Sequence, residues 1–184
     1  MIGRRSNESR RRPSSSRNIR RAALHMLRDL DVEAPIDVEK LCRQLSEQRG
    51  RPVQLTPYNF PSTTVFALWI ETTDSDLIFY ESDTTPEHQR HIILHEIGHM
   101  VLGHDGDNGD DSVWQEVVPT LPPHVVRKAL RRASYDDAAE HDAEAFATLL
   151  THWIGEFSAT TPGTGPNGPR NQLEQAFDDP RGWV

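Results

Sequence analysis

The apolar positions of this chain switch between a helical and a strand period, and the switches outline its elements. From Asn18 to Leu30, the residues Ile19, Ala22, Ala23, Met26, Leu27 and Leu30 recur at three and four, the spacing of an amphipathic helix. Pro35 breaks the chain, and Asp37 is placed to cap a second helix through Val38, Leu41 and Leu45 that stops near Gly50. Three runs of strand character follow, Val53 to Leu55, Val65 to Ile70 and Leu77 to Tyr80. The middle run is continuously apolar, as expected of a central strand, and Asp74-Ser75-Asp76 reads as the hairpin turn into the third.

The third strand runs almost directly into another helix. Thr85 is a fitting N-cap, Pro86 suits the first helical position, and Gly103 closes the element. Ile92, Ile93, Leu94, Ile97, Met100, Val101 and Leu102 make this helix apolar around most of its circumference, so it should be buried. Asp105 to Asp111 is an acidic loop without the register or the distal glutamate of an EF-hand, and reads as solvated. Trp114 to Pro123 is an irregular connection, Val125 to Arg132 has the pattern of a short helix, and a long helix should run from about Asp136 to Phe157. The expected division is an Arg/Ser-rich disordered arm over 1–17, one domain over 18–157, and a Gly/Pro-rich tail over 158–184. The fold class that follows is α+β, a small sheet of about three strands packed on helices.

Composition changes this picture in two places. The net charge of −8 hides a basic start, since the first 21 residues carry eight arginines against Glu8. An arginine arm suggests nucleic acid, but it lacks interleaved aromatics and is followed by an acidic body, so a solvated tail is the better reading. Cys42, the single cysteine, falls at helical spacing with Val38, Leu41 and Leu45. It reads as a core thiol in a reducing, cytoplasmic setting. No apolar run approaches a membrane span, and no secretory signal is visible.

The chemistry is concentrated in the buried helix, where His95-Glu96-Ile97-Gly98-His99 occurs. Residues four apart on a helix share a face, so the two imidazoles can converge on one ion while Glu96 reaches a water beside it. A zinc ion brings such a water to a pKa of about 7, within reach of a carboxylate base. Burial argues against a coincidental pair, because buried polar groups need a compensating role. Gly98 would let another element pack closely.

A hydrolytic zinc site takes three protein ligands and keeps one position open. His104 is one candidate for the third, but Leu102 and Asp105 stand where that arrangement wants glycine and histidine. On a continuing helix His104 would face away from His95, although Gly103 could redirect the chain. Glu140 is the stronger candidate, on a helix whose stripe of Ala143, Phe146, Ala147 and Leu150 should pack on the first. Glu144, four residues on, can hold the distal nitrogen of a ligating histidine, and Asp142 is the fallback ligand. His88 and His91 share a face with His95 and read as solvent-exposed or supporting groups.

The motif His95-Glu96-Ile97-Gly98-His99-Met100-Val101-Leu102-Gly103-His104, followed by Glu140-x-x-Ala143-x-x-Phe146-Ala147-x-x-Leu150, resembles the ImmA/IrrE family of metallopeptidases over about residues 20 to 155. Gly50-Arg51-Pro52 and Ile78-Phe79-Tyr80 are similar to its actinobacterial members. The resemblance implies a compact gluzincin-like, zincin-type α+β domain that carries Zn2+ on His95, His99 and Glu140, with Glu96 as catalytic base. It further implies a protein partner, a helix-turn-helix DNA-binding repressor that is cleaved or inactivated. The chain departs from the family pattern at Glu144, where Asn or Asp is usual, and at Thr151-His152-Trp153, where Leu-x-Pro is usual.

The expected reaction is peptide hydrolysis, with Glu96 taking the water proton and handing it to the leaving amine. Tyr135, His124 and His141 are candidates for the oxyanion partner. The strand Leu77 to Tyr80 is a candidate edge on which an extended substrate adds. The competing expectation is a non-catalytic module that sequesters its repressor around a structural or vestigial metal; an intact Glu96 favours the enzyme.

Overall fold

The computed structural model describes residues 15–32, 36–61, 65–104, 119, 126–130 and 137–158. The Arg-rich arm, the acidic loop, the Trp114–Pro123 connection and the C-terminal tail lie essentially outside these residues. The architecture is α+β. Its elements, in chain order, are α1 (Ser16–Asp29), α2 (Val38–Arg49), β1 (Val53–Tyr58), β2 (Ala67–Thr72), β3 (Asp76–Glu81), α3 (Pro86–Leu102), β4 (Val126–Leu130) and α4 (Asp137–Ser158).

The helix ends form where local chemistry places them. The Asp37 side chain accepts from the Lys40 amide, and α2 ends on Gly50 in the left-handed region at φ 64°. Thr85 accepts from the His88 amide, Pro86 opens α3, and Gly103 ends it at φ 65°. Each cap satisfies a group that the helix itself leaves unbonded.

The strands form one sheet in the order β1-β3-β2-β4, with β1 parallel to β3 and the other pairings antiparallel. Its middle is covered on both faces, which explains the continuous apolar run of β2. Trp69 and Ile78 join the helices in the main core, whereas Leu68, Ile70 and Phe79 pack with Phe60 and Val65 in a second cluster. The β2–β3 turn is held by Thr72, whose hydroxyl accepts from the amides of Asp74 and Ser75.

Two expectations are corrected here. The segment read as a short helix after Pro123 contains strand β4, paired antiparallel with β2 through Trp69↔Leu130 and Ile70↔Ala129. Its apolar spacing suits either element, and the open side of β2 decides in favour of the strand. With β4 the small sheet packed on the helices has four strands. Leu77 to Tyr80 is not an edge either: β3 lies between β1 and β2, so both sides of it are already paired.

Helix α3 is the axis of the domain, packed by the sheet, α1, α2 and α4, with Ile92 to Met100 buried without a break. Its closest neighbour is α4, which presents Ala143, Phe146, Ala147 and Leu150, all fully buried. A Cβ on Gly98 would lie 3.1 Å from Phe146 Cδ1 and 3.3 Å from the Ala143 backbone. The missing side chain is therefore what lets the two helices approach this closely. Cys42 is buried as expected, and burial pushes its thiol up to about 12. No described helix is long and apolar enough to cross a membrane.

Candidate metal centre

The close approach of α3 and α4 brings three ligand atoms together. His95 Nε2 and His99 Nε2 are 3.0 Å apart. Glu140 Oε2 lies 3.6 Å from the first, and Glu140 Oε1 lies 3.6 Å from the second. A tetrahedral ion with ligands at about 2.1 Å needs ligand–ligand edges of about 3.4 Å, and each imidazole nitrogen lies near that distance from one of the two carboxylate oxygens. The donor set fits as well, since two imidazoles and a carboxylate suit a borderline-soft divalent cation. His95, His99 and Glu140 thus form a group that could hold a metal ion. His99 is fully buried, His95 and Glu96 are nearly so, and the Glu140 side chain is 20% exposed. One wall of the site is therefore open.

Behind each histidine stands a different support. Glu144 Oε2 lies 3.5 Å from His95 Nδ1, so the second glutamate of α4 faces the distal nitrogen of that ring. The same carboxylate contacts His91 Nε2 at 3.1 Å and 3.2 Å, and His91 Nδ1 lies 3.3 Å from Thr151 Oγ1. Burial pushes the Glu144 carboxyl up, but the His91 hydrogen bond, the charges of His91 and His95, and the His95 hydrogen bond outweigh it and hold the group below its usual range.

His99 is backed by His104. Gly103, in its left-handed conformation, turns the chain back so that the His104 amide donates to the His99 carbonyl at 3.0 Å. The turn also brings His104 Nδ1 to 2.9 Å from His99 Nδ1, with both rings buried. Gly103 does redirect His104 towards the site, but to the far side of the ligand ring and not to the ion. Burial, then the neighbouring His95 and His104, push the His99 imidazole down to about 2, so it stays neutral across the range in which a metal binds.

The other sequence candidates fall out as follows. Asp142 is buried but is not part of the ligand group. His141 is exposed, and His124 and Tyr135 lie outside the described residues. His88 is exposed and meets the Phe66 ring edge-on at 5.7 Å. The link from Thr151 to His91 was not read from the sequence. Its signal was present, because Glu140, Glu144, Thr148 and Thr151 follow one face of α4 at steps of four and three.

Glu96 and His95 border a cavity of about 240 Å³, with Phe66, Ala67 and Ile92 as its apolar lining and His91 and Glu144 among its polar groups. A buried carboxylate, a triad that could hold an ion and a partly apolar recess in contact are the parts that water attack on a bound peptide requires. No protein-family model matches the chain, and no curated protein or solved structure matches it either.

Proposed function

We propose that this protein is a zinc-dependent endopeptidase that works in the cytosol and inactivates a helix-turn-helix repressor by cleaving it. The observation that carries the hydrolase reading is the convergence of His95, His99 and Glu140, with the two imidazole nitrogens 3.0 Å apart and each 3.6 Å from one of the Glu140 oxygens, next to the buried carboxylate of Glu96. The repressor as substrate rests on the resemblance to ImmA/IrrE peptidases carried by the residues around His95 and Glu140.

Bound there, zinc would acidify a water and polarise the substrate carbonyl. His95, His99 and Glu140 would hold the ion. Glu144 orients the His95 ring, and Glu96 takes the proton from the attacking water and delivers it to the leaving amine. The apolar lining at Phe66, Ala67 and Ile92 takes up a substrate side chain beside the scissile bond.

The test is Glu96→Gln, which keeps the shape and the ligands but removes the base. Zinc content and partner binding should stay at the wild-type level, while cleavage of the co-expressed repressor falls about 10²–10⁴-fold. A Glu96→Gln protein that relieves repression as well as wild type makes the domain a sequestering module instead.

A further inference from the structure

The recess beside Glu96 is walled by residues whose chemistry selects what enters it. His88, Ile92 and His95 stand on successive turns of α3, so the recess follows that helix over seven residues, about 10 Å. Phe66 and Ala67 form the facing wall, and the sheet holds them. Ala67 pairs with Tyr80 of β3, and the Phe66 carbonyl accepts from the Glu81 amide at 2.9 Å. The buried Glu81 side chain accepts from the Phe60 amide at 3.1 Å, which ties down the chain ahead of β2. At the exposed end the Phe66 ring meets the His88 ring edge-on at 5.7 Å. A wall carried on paired strands is set before a substrate arrives.

We infer that this recess is a specificity pocket for a large apolar side chain, such as phenylalanine or leucine, next to the scissile bond, with Ala67 setting its width and Phe66 closing its outer wall. This rests on the hydrolase reading above and names the residue class on which that site acts. The volume of about 240 Å³ is far more than a methyl group fills. A small side chain leaves Phe66, Ala67 and Ile92 facing water or a void and gains little from them, whereas a large one removes that surface from water. A charged side chain is disfavoured, because its head would be desolvated against the same three residues. The carboxylate on the rim does not reverse this preference. Glu144 already contacts His91 Nε2 at 3.1 Å and 3.2 Å and lies 3.5 Å from His95 Nδ1, so a basic side chain would have to displace existing partners. Ala67 contributes only a methyl group to the wall, and any larger residue there takes up room meant for the substrate.

The first test needs no metal and no cleavage. The N-acetyl amides of phenylalanine, leucine, alanine and arginine are titrated into the full-length protein and followed by nitrogen-15 NMR. The phenylalanine and leucine compounds should shift the Phe66, Ala67 and Ile92 signals and bind about 10–100-fold more tightly than the alanine compound, the range for burying one large side chain. Ala67→Leu should abolish that preference, and Phe66→Ala, at a half-buried position that folding tolerates, should weaken it; thermal melting checks both variants. Equal binding of all four compounds, an arginine compound as tight as phenylalanine, or shifts that bypass Phe66 and Ala67 overturn the inference. The second test digests a mixed-sequence peptide library with zinc-loaded protein and reads the cuts by mass spectrometry. Phenylalanine or leucine should adjoin the cut bond, and Ala67→Leu should move the cuts to smaller residues; cuts without a size preference sink the proposal. A library left uncut while the amides still discriminate refutes the hydrolase reading instead and leaves the apolar pocket in place.

Discussion

Two clusters of buried ionisable groups sit in this domain, and they are built on opposite principles. At the corner joining α2, β1 and β3, Asp76 is fully buried and surrounded by donors. Arg49 Nε and Nη2 approach it at 3.1 Å, Arg51 Nε at 3.2 Å, and the Trp69 indole donates at 3.1 Å. Arg51 also reaches the carbonyls of Thr72 and Ser75, which ties the α2–β1 corner to the hairpin. This cluster is electrically closed. At the α3–α4 contact, two imidazoles and a carboxylate instead point their ligand atoms at one another. Such a cluster suits a divalent cation. The first arrangement fastens the sheet, while the second could hold a metal ion. The distinction lies in whether acceptors meet donors or meet each other.

The comparison can be broken from either side. The largest effect expected is that of Asp76→Ala, which removes the buried acceptor shared by two guanidinium groups and an indole N–H. It should cost about 3–5 kcal/mol in chemical denaturation, while the folded fraction still binds zinc normally. A loss below about 1 kcal/mol would show that the corner is not a fastening. Next is Glu140→Ala, which removes a proposed ligand and should lower zinc affinity more than about 100-fold, beyond the range of a supporting residue. Stability without metal should change little, because the carboxylate sits beside an open wall. Retention of stoichiometric zinc by this variant, measured by metal analysis after dialysis, would falsify the ligand set.

The smallest effect concerns pH. In the fold the His99 imidazole is held down to about 2 and stays neutral, whereas the unfolded chain takes up that proton below about 6.5. Between those values the unfolded state binds more protons, so stability rises with pH and is lost on acidification. Metal-free protein should lose about 1.4 kcal/mol per unit below 6.5 from this group and show no slope from it above that value. Glu144, held low, adds a slope of the same sign below its ordinary 4.5. Urea melts of stripped protein at pH 7.5, 6 and 5 check this, and equal midpoints would mean that His99 is not neutral in the fold.

Much of the molecule was legible before any coordinate. Caps such as Asp37, Thr85, Gly50 and Gly103 act over three or four residues, and a local rule finds them. The buried helix around His95 and the small face of α4 follow from a period of 3.6, which is also local. The pairing of Glu144 with a ligand histidine was reachable because its spacing from Glu140 puts both on one face of a single helix.

The rest depended on partners distant in the chain. Whether Val126 to Leu130 is helix or strand is decided by β2, more than fifty residues away, and only the assembled sheet offers it a side to pair with. The interior place of β3 likewise depends on β1 lying parallel beside it, which no feature of its own sequence states. His104 shows the division most clearly. Its residue type and distance from His99 are plain in the sequence, and the glycine that allows a turn is next to it. Which side of the ligand ring it reaches is a matter of backbone direction and of the space left behind α3, and packing alone sets both.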